Sequence, residues 1–219
     1  MPRLLFEKTG NAVWVSHLDL MRLFQRAFKR AGLPLTHTKG FNPRPSVSIA
    51  LPLSVGIASC CELLDFDLEG EKVPSVEIKN RLNNALVSGI RVLEVYDDGR
   101  KIKHLALLRC QVCFEYDNGV PEGAVDALNE FFAGDSIVVE KHGKNGIVQQ
   151  DIAPMIHSLQ VWAPDRETIL IEAVVCCQNP TLNPIQLGAA VERYLPEYKA
   201  DFVKYSRLEI YDTEENIFR

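Results

Sequence analysis

Apolar residues recur along the chain with two periods, and the switches between them predict the elements. Residues 3–8 alternate and predict a short strand. Leu20, Met21, Phe24, Ala27, Phe28 and Ala31 then return at helical spacing, while Arg22, Arg26, Lys29 and Arg30 fall on the other side. Ser16 suits an N-cap, Asp19 three residues on suits a capping box, and Gly32 with Pro34 stops the helix. Val47, Ile49, Leu51 and Leu53 alternate with Ser46, Ser48, Ala50 and Pro52, a one-sided strand that the proline places at an edge or an end. Residues 62–68 alternate again, 76–87 read as a helix and 91–96 as a strand.

The second half repeats this order. Residues 109–116 predict a strand and 121–133 a helix; 136–140 and 146–151 make a hairpin or one long bent strand. Residues 168–177 form a strongly apolar strand, 184–195 a helix and 203–211 a closing strand, while 153–162 is extra to the count, as a short helix and a loop. Two β-α-β-β-α-β orders in succession predict an α+β chain of two tandem ferredoxin-like domains packed together, 1–100 and 101–219. A length of 219 residues suits two domains of that size.

Composition adds bounds. Apolar residues make up 47% and charged residues 24%, as in ordinary globular chains. No basic start precedes an apolar stretch and no run reaches about 18 apolar residues, so neither a secretory signal nor a membrane span is expected, and the location expected is cytoplasmic. Six cysteines, including the adjacent pairs Cys60-Cys61 and Cys176-Cys177, suit reduced and mostly buried thiols better than a disulfide framework. Cys110-Gln111-Val112-Cys113 has zinc spacing, but on a strand residues three apart face opposite ways. No metal and no cofactor is expected: Walker A, dinucleotide, H-E-x-x-H and G-x-S-x-G signatures are all absent.

Charge changes the picture. The formal net charge of −5 argues against a nucleic-acid partner only if it is uniform, and it is not. Residues 1–50 sum to +6 and the remaining 169 to −11. The basic helix side of Arg22, Arg26, Lys29 and Arg30, joined by Lys39 and Arg44, suits a phosphate backbone; it equally suits a solvated face over an acidic body. Gly40-Phe41-Asn42-Pro43-Arg44-Pro45 is a stiff loop in which Phe41 offers a ring for base stacking. His17, in the first helical turn, is a weak candidate for a general base on a ribose hydroxyl, and His37 stands just before the loop. Lys141 and Lys144 make a turn at Gly143-Lys144-Asn145-Gly146 locally basic.

The run Ser16-His17-Leu18-Asp19-Leu20-Met21-Arg22, the later Arg26, Arg30-Ala31-Gly32-Leu33-Pro34, the Gly40–Pro45 loop and Ala50-Leu51-Pro52-Leu53 carry a family resemblance. The chain resembles the bacterial radical-SAM-linked proteins, known by the DUF2344 domain, in stand-alone form. The likeness spans residues 3–211, is densest over 14–66, and rests in the second half on Asp151, Pro154 and Arg207. Where members commonly carry Tyr-Ser this chain has His37-Thr38, and Ala153 replaces a frequent arginine. The resemblance implies partnership with a cobalamin-binding radical-SAM protein and a role near RNA. It marks Ser16, His17, Asp19, Arg22, Gly40, Phe41, Asn42, Pro43, Arg44 and Asp151 as important positions.

Three functions stand beside one another at this point. One is a non-catalytic accessory protein that binds RNA, or an RNA-linked substrate, through Ser16, His17, Asp19, Arg22, Arg26, Lys29, Arg30, Lys39, Phe41, Asn42 and Arg44. The second is a metal-independent ribonuclease of paired ferredoxin-like fold with His17 as base. The third is a pure protein-interaction subunit. The first is favoured, because the segment has charge for binding but no acid–base pair for turnover.

Overall fold

The computed structural model describes residues 1–143 and 146–219, and their backbone divides into two units, Met1–His104 with Phe218–Arg219 and Leu105–Ile217. The turn expected at Gly143-Lys144-Asn145-Gly146 includes residues 144–145, outside the described residues.

The first unit runs β1 (Arg3–Lys8), a 3-10 turn (Gly10–Trp14), α1 (His17–Arg30), β2 (Val47–Ile49), β3 (Ile57–Phe66), α2 (Ser75–Ala85) and β4 (Ile90–Tyr96). Its strands lie in the order β4-β1-β3-β2, every pair antiparallel. Strand alternation sends Leu4, Phe6, Leu64, Phe66 and Val92 to one face, where they join Leu20, Phe24, Ala27 and Phe28 of α1 and Ile78 and Leu82 of α2 in a single core. Phe6 meets Phe24 edge-on at 4.7 Å, and Phe28 tilts against Phe66 at 5.1 Å. Burying each such ring stabilises the unit by about 1.5–3 kcal/mol. Arg3, on the opposite face, pairs in two places with Asp65, its Nε at 2.6 Å and its Nη2 at 2.9 Å from the carboxylate oxygens.

The strand expected over 46–53 stops at Ile49. Pro52 has no N–H to extend the ladder, and the chain turns back through Gly56, whose φ of +85° favours glycine. Among the described residues β2 accordingly pairs with β3 alone.

The second unit runs β5 (Leu105–Glu115), α3 (Ala124–Phe132), β6 (Val138–Gly143), β7 (Gly146–Asp151), β8 (Ile156–Trp162), β9 (Thr168–Cys176), α4 (Ile185–Tyr194) and β10 (Phe202–Asp212). Its strands lie in the order β10-β5-β9-β8, again antiparallel throughout. One expectation is corrected here. The strand that completes this sheet is β8, in the stretch read as a short helix and a loop, whereas β6 and β7 form a separate two-stranded hairpin. A 3-10 turn at Ala153–Met155 does precede β8. The pattern misleads because β8 buries only Val161 fully and slips register between Ile156 and Ser158, so its alternation is blurred.

Among the described residues no helix is long and apolar enough to cross a membrane.

Candidate nucleic-acid interface

Ser16 caps α1 as its position suggests, accepting the Asp19 N–H at 3.2 Å. The return half of the box differs from the usual form: the Ser16 hydroxyl donates to Asp19 Oδ2 at 2.7 Å. Asp19 Oδ1 takes a hydrogen bond from Arg22 Nη1 at 3.0 Å. The Ser16 hydroxyl first, and Arg22 second, hold the Asp19 carboxyl below its ordinary value. Arg22 is therefore exposed but already balanced by a carboxylate fixed in place. His17 follows the cap half-buried, and its Nδ1 is enclosed with no hydrogen-bond partner among the described residues. A general base needs a group that fixes its tautomer, and His17 has none.

The other basic residues of α1 diverge. Arg30 turns toward α2, where its Nη2 donates to the Ala85 carbonyl at 2.7 Å. Arg81 of α2 reciprocates, donating to the carbonyls of Ala31 at 2.9 Å and Gly32 at 3.0 Å. Each helix thus has its C-terminal carbonyls covered by an arginine of the other, which also offsets the negative end of the α1 dipole. Gly32, at φ +64°, allows Leu33 N–H to reach back to the Phe28 carbonyl at 3.0 Å, and Pro34 leads the chain away. Arg26 and Lys29 remain exposed on the solvent side of α1.

The 36–46 segment is tied at its root. Thr36 N–H and hydroxyl bond to the Asp67 carbonyl and carboxylate at 3.0 and 2.9 Å, and Ser46 N–H bonds back to the Thr36 carbonyl at 2.7 Å. Further out, Thr38 N–H donates to the Arg44 carbonyl at 2.8 Å, and the Thr38 hydroxyl accepts the Arg44 N–H at 3.0 Å. These bonds close a loop over 39–43 and fix the backbone from which Arg44 projects. At its tip the Phe41 side chain is 100% exposed, with Lys39, Asn42 and Arg44 also in solvent. Among the described residues Arg26, Lys29, Lys39 and Arg44 form no ion pair.

A cavity of about 410 Å³ opens between the last turns of α1 and the root of this loop. Phe28, Leu33 and Leu35 form its floor, with Pro34 and Pro45 beside them. Gln25, Lys29, His37 and Glu69 supply polar groups at its rim, His37 Nδ1 standing 3.7 Å from Glu69 Oε1. Gln25 and Glu69 carry no motif, and only their meeting in space marks them. Lys29, His37 and the loop are brought to one place; Ser16, His17, Asp19 and Arg22 belong to the other end of α1.

Asp151, implied as important by family resemblance, holds the β6–β7 hairpin to its surroundings. Its carboxylate accepts Ile137 N–H at 2.9 Å, the Ser136 hydroxyl at 2.8 Å and Ala153 N–H at 3.1 Å, and these bonds, Ile137 first, lower its pKa. Lys141, counted as part of a basic turn, donates instead to the Thr181 carbonyl at 3.2 Å. In the C-x-x-C, Cys110 is buried and Cys113 lies on the opposite face of β5; burial pushes the Cys110 thiol up to about 12. The two sulfurs do not converge.

The sequence profile of DUF2344, described as an uncharacterized protein conserved in bacteria, matches residues 2–184. A comparison with curated proteins finds no match. Among solved structures, a chain in a crystal structure of a Cbf5-Nop10-Gar1 complex is similar with a TM-score of 0.52 and 9% identity, over 95% of this chain and 48% of that one. A chain of the archaeal box H/ACA sRNP Nop10-Cbf5 complex follows at 0.47 and 9%, over 94% and 46%. An unknown protein from Galdieria sulphuraria is aligned over 94% of this chain and 96% of its own, at 12% identity and a TM-score of 0.26. The chain spans about half the length of the first two. At such identity the likeness to the first concerns the fold alone.

Proposed function

The chain belongs to the DUF2344 family, and we propose that it is a non-catalytic accessory protein that binds single-stranded RNA through the solvent side of α1 and the 39–44 loop. The observation that carries this reading is the set of four exposed cations without an ion pair among the described residues, Arg26, Lys29, Lys39 and Arg44, on the same segment as a wholly exposed Phe41. A phenyl ring in water on a hydrogen-bonded loop contributes nothing to the core, while flanking cations and a ring are what stacked, unpaired nucleotides require. Lys39 and Arg44 meet phosphate on either side of the base stacked on Phe41, and Asn42 offers an amide to that base. Arg26 and Lys29 continue the track along the helix. Ser16 and Asp19 fix the start of α1, with Arg22 held to Asp19.

The partner in this proposal is a cobalamin-binding radical-SAM enzyme, which supplies the chemistry, and the setting is the cytoplasm. Both follow from the family resemblance. Both units are read as ferredoxin-like, a reading supported by the matching orders β4-β1-β3-β2 and β10-β5-β9-β8, with β6–β7 as an insertion in the second.

Fluorescence anisotropy with a labelled single-stranded RNA tests the proposal. Phe41→Ala is expected to weaken binding by about 1–3 kcal/mol, the contribution of one stacked base. Equal affinity of Phe41→Ala and wild type, or no RNA binding at low salt, overturns it. RNA cleavage under chelator that disappears in His17→Ala would replace it with the ribonuclease reading. Co-purification of the enzyme that survives nuclease treatment, without any RNA affinity, would leave the protein-interaction subunit.

A further inference from the structure

We infer that the cavity between α1 and the loop root receives one unstacked base of the bound strand and selects guanine; this rests on the RNA-binding reading. The volume of about 410 Å³ falls at the small end of ligand pockets, which run about 300–1,000 Å³. That suits a single nucleotide and excludes a folded segment. The walls suit a flat ring: Pro34, Pro45 and Leu35 provide apolar surface, and His37, bridged to Pro45 through the backbone, adds an imidazole to the same lining.

The polar groups then distinguish among bases. Glu69 places a carboxylate at the rim, with its backbone N–H tied to the Pro34 carbonyl at 2.8 Å. A carboxylate only accepts, and its two oxygens lie side by side; Oε1 also stands 3.7 Å from His37 Nδ1, beyond hydrogen-bond reach. Guanine presents two adjacent donors, N1–H and the N2 amino group, on its Watson–Crick edge. Adenine and cytosine each present a donor beside an acceptor, and uracil a donor between two acceptors, so one carboxylate oxygen meets a lone pair in all three. Lys29, on the same rim and without an ion pair among the described residues, stands where the nucleotide phosphate leaves the pocket. Gln25 adds an amide on the α1 side. The neighbouring tip, with Phe41 exposed, holds an adjacent base, so the strand is gripped at two points.

Isothermal titration with the four nucleoside 5′-monophosphates, and anisotropy with a uridine-only strand and the same strand carrying one central guanosine, test this. GMP and the guanosine-bearing strand are expected to bind about ten- to a hundredfold more tightly than their counterparts, the discrimination of one bidentate pair. Glu69→Gln is expected to abolish that preference and leave the uridine-only strand unchanged, while Lys29→Ala weakens all ligands alike. Gln25→Trp, which fills the cavity from a half-buried position on α1, is expected to remove GMP binding and leave the uridine-only strand in place. Equal binding of the four nucleotides, or a guanine preference that survives Glu69→Gln, overturns the inference. If the uridine-only strand binds and guanine brings no gain, the pocket assignment alone fails. If neither strand binds while GMP does, the RNA reading fails and the cavity is a site for a free guanine nucleotide.

Discussion

Salt dependence counts the cations that meet phosphate, and the proposed RNA interface fixes an expected count. For single strands the logarithm of affinity falls with the logarithm of salt concentration by about 0.7 per neutralised phosphate. Arg26, Lys29, Lys39 and Arg44 form no ion pair among the described residues, so if these four meet phosphate as proposed the slope is about −2.8, and affinity falls about 50-fold between 50 and 200 mM salt. Arg26→Ala combined with Arg44→Ala halves the slope to about −1.4, and the same salt change then costs about sevenfold. Arg22 behaves differently, because its guanidinium is balanced at 3.0 Å by an Asp19 carboxylate that Ser16 also holds. Arg22→Ala leaves the slope near −2.8. Asp19→Ala frees Arg22 and steepens it toward about −3.5. Anisotropy titrations at four salt concentrations decide this, with circular dichroism to check that α1 persists. A loss of slope in Arg22→Ala equal to that in Arg26→Ala would refute the reasoning, as would a wild-type slope near zero.

Two further outcomes concern the scaffold. Asp65→Ala leaves the Arg3 guanidinium, 3% exposed, without its carboxylate and is expected to destabilise the protein by about 3–5 kcal/mol in urea unfolding. The double change Arg3→Met with Asp65→Leu is expected to recover most of that loss; a single variant with a wild-type midpoint contradicts it. Asp151 has a pKa lowered from 3.8 by the Ile137 and Ala153 N–H groups and the Ser136 hydroxyl, so its hold on the hairpin is complete above that value and is lost as pH falls through the lower, folded value. An NMR titration of the Ile137 amide should show a midpoint below 3.8 that vanishes in Asp151→Asn. A midpoint at or above 3.8 counts against the assignment.

The start and end of α1 were legible because local chemistry sets them: Ser16 caps and Gly32 terminates without help from distant residues. The 39–44 loop itself was legible in Gly40 and its prolines, though Thr38, whose hydroxyl and N–H close it, carried no signal. β8 was not legible, since a strand that buries Val161 alone does not alternate. Charge misled in detail. Of the eight basic residues in the first fifty, Arg3 and Lys8 are buried, Arg22 is paired and Arg30 is bonded to α2. Pairing of that kind depends on rotamers and neighbours, not on spacing. The cavity lay furthest from reach, because Gln25, His37 and Glu69 are remote from one another in the chain.

The crossed arginines of α1 and α2 bear on how loss-of-function variants are to be interpreted. Arg81 lines neither the loop nor the cavity, yet it covers the carbonyls of Ala31 and Gly32, two and three residues beyond Lys29. A variant at Arg81 frays the turn that carries the pocket wall, and its phenotype imitates that of a contact residue. The two helix ends should also exchange their amide hydrogens together, as one local opening unit. A genetic screen for binding defects would then recover α2 positions that never meet the ligand, and hydrogen exchange would separate them from the true contacts.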